Sequence, residues 1–170
     1  MKNKIILLVA TSKDGFIADS HGNGDFSSIE DKQQFRSFLH SPQCDCFVCG
    51  RKTADEFKQR LTYKPLFILT STKQQNTDNN IFIHNIDELY QEMKKRGLFS
   101  CALLGGAQTY HYFLQQNAVQ EIRHTEENVI FNAGVALNLE KYLDNFKKIT
   151  SHKLSPTTKL TTYIQKIRLF

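Results

Sequence analysis

The sequence predicts an α/β sandwich built on one mixed, mostly parallel sheet that an antiparallel edge closes near the C-terminus. Three observations carry this. Short apolar runs alternate with amphipathic stretches from residue 5 to residue 116, the order in which crossover helices join parallel strands. Those runs are apolar throughout rather than at every second position, as in strands covered on both faces. Beyond residue 120, helical spacing gives way to β-branched and alternating residues, the composition of antiparallel strands. The 170 residues suit a single domain, 1–170, large enough to bury roughly two-thirds of its unfolded surface.

Element by element, residues 5–10 (IILLVA) form the first continuous apolar run. Residues 11–28 hold Gly15, Gly22 and Gly24 among Asp and Asn and read as a long loop with tight turns; such loops tend to be functional. From Ile29, the segment IEDKQQFRSFLH sets Phe35, Phe38 and Leu39 on one helical face, with Ser28 as N-cap, Asp31 in the first turn and Pro42 past the end. Residues 45–49 read as a second strand that runs into Gly50 and then a short helix, RKTADEFKQRL. Residues 66–70 form a third strand and 81–83 a fourth, and IDELYQEMKKRG is a helix that Gly97 stops. Residues 101–104, the pair Gly105 and Gly106, and a helix to about residue 116 complete the alternating part. The segments QEIRHTEENVIF, FKKITSHKLS and TKLTTYIQKIRLF are expected as two or three antiparallel strands.

Composition narrows the function classes. Apolar residues make up 40% and charged residues 23%, with no low-complexity tract, so the chain has the profile of a globular protein. Lys and Arg number 22 against 17 Asp and Glu, a formal charge of +5 that favours anionic partners. The cations are scattered without a basic block, so nucleic acid is not expected and a phosphorylated small molecule is. The first apolar run is too short for a signal peptide, and no segment approaches the roughly 18 apolar residues of a membrane span. The expectation is a cytoplasmic protein with no membrane partner. Cys46 and Cys49 form a C-x-x-C, but no second pair completes a tetrahedron, and Cys44, Cys46, Cys49 and Cys101 read as small apolar core residues. The six histidines show no ligand spacing and no nucleophile elbow is present, so neither a metal site nor a hydrolase is expected.

The informative stretches are strand ends. In CALLGGAQTYHYF, Gly105 and Gly106 remove side chains where a strand meets a helix. Either a phosphate approaches the free N–H groups of the helix start, or helix and strand pack closely there. The G-x-G-x-x-G fingerprint and the Walker loop are both absent. VCGRKTADEF repeats the theme, with Gly50 followed by Arg51, Lys52 and Thr53 in a first helical turn, where the helix dipole disfavours cations unless an anion sits among them. A third strand ends in Thr70, Ser71, Thr72 and Lys73. Three phosphate-compatible strand ends suggest a dinucleotide. Asp31 is the candidate for proton chemistry, with plain complementation of the helix dipole, which Glu30 would serve equally, as the other reading.

VATSKDGFIAD, EDKQQF, VCGRKTADEF, LTSTK and LLGGAQTYHYFL, in this order and spacing, resemble the dihydrofolate reductase superfamily. The S-x-D-G-F-I-A-D opening is similar above all to the C-terminal reductase domain of the riboflavin-pathway protein RibD. The resemblance implies a dihydrofolate reductase-like three-layer sandwich and an NADPH-dependent oxidoreductase acting on C–N or C=N groups. It implies that Gly50, Arg51, Lys52, Thr53, Thr70, Ser71 and Lys73 hold the adenosine ribose and its 2′-phosphate. Gly105, Gly106, Ala107 and Gln108 would meet the pyrophosphate, with Tyr110 near the nicotinamide. Asp31 would handle a pyrimidine or pterin ring, and Thr11, Asp14 and Arg36 are the polar side chains expected at the substrate. Phe26 stands near the place of the usual substrate-loop tryptophan, Asn128 and Asn132 replace a proline and a glycine, and Gln120 replaces an aspartate. The activity implied is that of a 5-amino-6-(5-phosphoribosylamino)uracil reductase, with deamination left to another chain. Dihydrofolate reduction is the alternative within the superfamily, and a nucleotide-binding protein without catalysis the alternative outside enzymes. A homodimer is implied by the riboflavin branch and a monomer by most simple dihydrofolate reductases.

Overall fold

A computed structural model describes residues 3–167. The alternating part runs β1 (Lys4–Ser12), β2 (Phe16–Ala18), α1 (Ile29–His40), β3 (Cys46–Gly50), α2 (Arg51–Phe57), β4 (Leu66–Leu69), β5 (Asn80–Ile83), α3 (Ile86–Lys95), β6 (Ser100–Leu103) and α4 (Ala107–Gln115). The remainder is β7 (Glu121–Glu127), β8 (Val135–Ala136), α5 (Glu140–Leu143), β9 (Phe146–Ser155) and β10 (Thr158–Gln165). Eight strands form one sheet in the order β5-β4-β3-β6-β1-β7-β10-β9, and β2 pairs with β8 in a small second sheet.

Apolar runs become parallel strands because both faces are covered. In β1, Ile5, Leu7 and Val9 point to the layer of α3 and α4, among Leu89, Met93 and Phe113. Ile6 and Leu8 point the other way, to α1 and α2, among Phe38, Leu39 and Ala54. The CDCFVC run is β3 and its approach, and all four cysteines are buried. Burial pushes the Cys44 thiol to about 11 and that of Cys49 to about 12, so neither carries the thiolate that a nucleophile or metal ligand needs.

Helix ends follow their local chemistry. Ser28 caps α1 by accepting from the Asp31 N–H, and Asn85 caps α3 by accepting from the Glu88 N–H. Gly97, at φ +66, follows α3 in the left-handed conformation that ends helices. Lys64 donates to the Leu39 and Ser41 carbonyls at 2.6 and 2.9 Å, placing a cation at the negative end of α1. At one sheet edge the Asn76 side chain accepts from the Phe82 N–H of β5. At the other, β9 has no further strand beside it among the described residues, and Lys147, Lys148, His152 and Lys153 along it are exposed.

The expectation of antiparallel pairing holds for β9 and β10 but needs correction for β7. That strand lies parallel to β1, from Ile6 opposite Glu121 to Ser12 opposite Glu127, and is antiparallel only to β10. The unit β6–α4–β7 is one more crossover, and of the polar residues of β7, Thr125 and Glu127 near its end are buried. β1 extends through Thr11 and Ser12, both buried, so the loop expected from residue 11 begins later and contains β2. Among the described residues no helix is long and apolar enough to cross a membrane. Phe113 is fully buried between α4 and the sheet; Phe113→Ala should cost about 3–5 kcal/mol, read as a lower urea midpoint with an unchanged slope.

Candidate active site

Because β4, β3, β6, β1 and β7 are mutually parallel, their C-terminal ends share one edge, and antiparallel β10 brings its first residue, Thr158, to the same edge. Adjacent strands lie about 4.8 Å apart, so β4 to β7 spans roughly 19 Å. Across this edge lie Thr70, Gly50, Gly105, Ala10 and Thr125, in that order.

The two glycine junctions face each other. The Gly50 N–H donates to the Gly105 carbonyl at 2.7 Å. A Cβ on Gly50 would lie 2.6 Å from Thr109 Oγ1, and one on Gly105, at φ +114, would lie 3.1 Å from the Tyr110 ring. The peptide between Gly105 and Gly106 is cis. Close packing is therefore one role of these glycines, and it sets two helix starts side by side. Neither α2 nor α4 has a side-chain cap or an acidic residue in its first turn, whereas α1 and α3 have both. The first-turn N–H groups of α2 and α4 thus lack the anionic or side-chain partners that helix starts normally receive.

Around these starts, Arg51 and Lys52 are exposed and Thr53 is half-buried. Ser71 and Lys73 are exposed beyond β4, while Thr70 is buried and its hydroxyl accepts from the Thr72 N–H at 3.2 Å. Ala107 is half-buried and Gln108 exposed. Tyr110 is buried and donates to the Leu8 carbonyl at 2.6 Å. Burial raises its phenol well above the ordinary value, so the ring locks α4 to β1 as a neutral donor.

On the far side of β1, Asp31 is buried, and its Oδ1 accepts from Thr125 Oγ1 at 2.6 Å. Its Oδ2 takes no bond from the described residues and is not sealed from solvent. Glu30 is exposed and suffices for the helix dipole, so the burial of Asp31 serves something else. Beside it sits a second buried carboxylate, Glu127, which the sequence does not single out. Its Oε1 accepts from the Ser28 N–H and its Oε2 from Thr158 Oγ1, both at 2.8 Å.

The expected substrate contacts fare differently. Asp14 accepts from Ser12 Oγ and from the N–H groups of Phe131 and Asn132, so its carboxylate pins the 128–134 loop rather than pointing at a substrate. Partial burial opposes ionisation there, but those hydrogen bonds outweigh it and hold the carboxyl below its ordinary value. Arg36 is exposed and, five residues after Asp31, lies on a different face of α1. Phe26 packs edge-on against Phe131, with ring centres 5.0 Å apart. Thr11 is buried and bonds His124 Nε2 at 2.7 Å. Burial pushes the His124 imidazole down to about 4, so at neutral pH it donates no proton to a reaction. A concavity of about 630 Å³ lies at the opposite end of the strands. Glu121 there bonds both Lys4 and Arg123, which leaves little unpaired charge for a ligand.

The family model described as dihydrofolate reductase matches residues 4–164. An uncharacterized Bacillus subtilis (strain 168) protein, YyaP, is 30% identical over 172 residues, covering 91% of this chain and 90% of its own. Among solved structures, a Shewanella sp. PV-4 protein named for riboflavin biosynthesis superposes with a TM-score of 0.76 at 24% identity, covering 96% of this chain and 99% of that one. A Thermotoga maritima protein named as a diaminohydroxyphosphoribosylaminopyrimidine deaminase/5-amino-6-(5-phosphoribosylamino)uracil reductase also gives 0.76, at 15% identity, over 97% of this chain and 57% of its own length.

Two measurements check the site's packing and electrostatics. Gly50→Ala should destabilise by about 1–3 kcal/mol through its clash with Thr109, and adding Thr109→Ala should recover part of the loss in thermal midpoint. His124, ordinarily at 6.5, titrates at about 4 in the fold, so the unfolded chain binds more protons between these values. Stability is complete above the upper value and falls by about 3 kcal/mol as pH drops through the lower one. Urea titrations near neutrality and near the lower value should show a smaller acid loss for His124→Gln.

Proposed function

We propose that this chain, which belongs to the dihydrofolate reductase family, is an NADPH-dependent reductase of a pyrimidine or pteridine acceptor, adding hydride to a C=N carbon. The observation that carries this is the arrangement along one sheet edge. Uncapped helix starts follow β3 and β6, the first with the exposed cations Arg51 and Lys52, and a buried carboxylate with one open oxygen lies beside β7, separated by the end of β1.

Within that reading, Arg51, Lys52, Thr53, Ser71 and Lys73 would hold the 2′-phosphate and its ribose. The first-turn N–H groups of α4, which Gly106 leaves uncovered, would take the pyrophosphate. NADPH when bound supplies the hydride. The chain's own contribution is position and charge. Asp31 Oδ2 accepts from a ring N–H of the acceptor and so orients the carbon to be reduced, while Thr125 fixes the carboxylate's other oxygen. Reduction of C=N adds one hydride to carbon and one proton to nitrogen, and an Asp31 carboxyl in contact with the ring can carry that proton. Phe26 and Phe131, packed edge-on at the loop, would shield the acceptor from water.

The acceptor to assay first is the ring-opened ribosylamino group of 5-amino-6-(5-phosphoribosylamino)uracil, reduced to the ribityl form. The reductase activity in the name of the Thermotoga protein with the same fold supports that choice. Dihydrofolate is the second, since the family model is named for its reduction. Loss of nicotinamide absorbance in parallel assays with each acceptor separates them. NADPH binding without turnover of either would leave a nucleotide-binding protein.

Arg51→Ala should weaken NADPH about tenfold, equivalent to ~1.4 kcal/mol, and change NADH little, as read by nicotinamide fluorescence. Equal losses for both nucleotides would remove Arg51 from the 2′-phosphate.

A further inference from the structure

The first turn of α1 is tied to β7 at two points. Thr125 and Glu127 are alternate residues of β7 and so face the same way, about 6.7 Å apart along the strand. Ser28 and Asp31, three apart at the start of α1, come to the same side of that helix. Thr125 Oγ1 reaches Asp31 Oδ1 at 2.6 Å, and Glu127 Oε1 reaches the Ser28 N–H at 2.8 Å. A strand period of two thus meets a helix spacing of three, and the acid changes sides between the contacts: on the helix it accepts from a strand hydroxyl, and on the strand it accepts from the backbone N–H that opens the helix.

Glu127 does more than fill space. It is 4% exposed, and burying a carboxylate costs several kcal/mol that an apolar side chain of similar volume would not incur. What the charge adds is geometry, because its two oxygens take donors from two different elements, Ser28 before α1 and Thr158 at the start of β10. Thr158 Oγ1 lies 2.8 Å from both Glu127 Oε2 and Ser28 Oγ and donates toward both, so its one proton is shared between the carboxylate and the Ser28 hydroxyl oxygen. Ser28 Oγ also accepts from the Asp31 N–H, the cap bond at 3.1 Å. One chain of hydrogen bonds therefore runs from Glu127 through Thr158 and Ser28 to the backbone of Asp31. The Asp31 side chain and backbone are held by separate partners on β7, and its Oδ2 is left open.

We propose that Glu127 is a positioning residue for the reduction: by holding Ser28 it sets where Asp31 presents its open carboxylate oxygen to the acceptor ring. This rests on the reductase reading above. The test is a double-mutant cycle on the single-turnover rate of hydride transfer, with NADPH affinity measured alongside by nicotinamide fluorescence. Glu127→Ala should slow transfer about tenfold in the wild-type background and less than about twofold when Asp31→Asn is already present, because its effect passes through Asp31. NADPH affinity should stay within about twofold of wild type. Glu127→Gln keeps an acceptor for the Ser28 N–H and should recover most of the loss. Losses that multiply in the double variant, or a fall in NADPH affinity as large as the fall in rate, overturn the proposal. Should Glu127→Ala not fold, Thr158→Val takes its place in the cycle, since it removes one hydroxyl and keeps the volume. Amide hydrogen exchange needs no acceptor: faster exchange at the Asp31 N–H in the Glu127 or Thr158 variant supports the clamp, and unchanged exchange overturns it. Wild-type protein that binds NADPH but reduces no acceptor counts against the reductase reading alone.

Discussion

The hydrogen bond from the Gly50 N–H to the Gly105 carbonyl, 2.7 Å long, is the contact on which the organisation of the site edge depends. It forms where two parallel strands have just ended and two helices are about to begin, at positions that have no side chains. A Cβ on Gly50 would enter the space of Thr109 Oγ1, so a meeting of the junctions this close favours glycine. Their meeting brings α2 and α4 up from a common plane with their first-turn amides unclaimed by caps. Packing and ligand chemistry are here two consequences of one constraint, because the residue that permits the close approach is also the one that leaves the amides bare.

From that plane the site divides about β1. To one side are helix dipoles and exposed cations, an environment that becomes favourable only when an anion arrives. To the other are two buried carboxylates, each supplied with donors by hydroxyls and backbone of β7, β10 and α1. The opposite face of β7 carries His124, which burial keeps neutral against Thr11, and Glu126, which pairs with Lys159. A ligand bridging the two halves thus meets opposite electrostatic demands at its two ends.

Much of the fold was legible because the apolar runs and helix spacings are strong local signals. The Ser28 cap and the strand–glycine–helix junctions could be read from a few neighbouring residues each. What was not legible depends on strand order. That Gly50 and Gly105 face each other follows from β6 inserting between β3 and β1, a pairing between segments about fifty residues apart that no local pattern encodes. β7 was expected to be antiparallel because its residues are β-branched and alternating, yet it pairs parallel with β1, and Thr125 and Glu127 at its end join a buried cluster. Asp14 stood among the side chains expected at the substrate, but its partners, Phe131 and Asn132, lie more than a hundred residues away. Glu127 gave no signal, since one glutamate in QEIRHTEENVIF resembles the others until the alternation of β7 and the position of Thr158 are known.

The edge strand β9 bears on how the molecule behaves in a crowded solution. An edge ten residues long, unpaired among the described residues, offers a row of backbone donors and acceptors to any passing strand. Lys147, Lys148 and Lys153 stand exposed along it, so a second copy approaching edge to edge would set like charges against each other before any ladder could form. Part of the chain's positive excess therefore works as protection against aggregation rather than as attraction for a ligand.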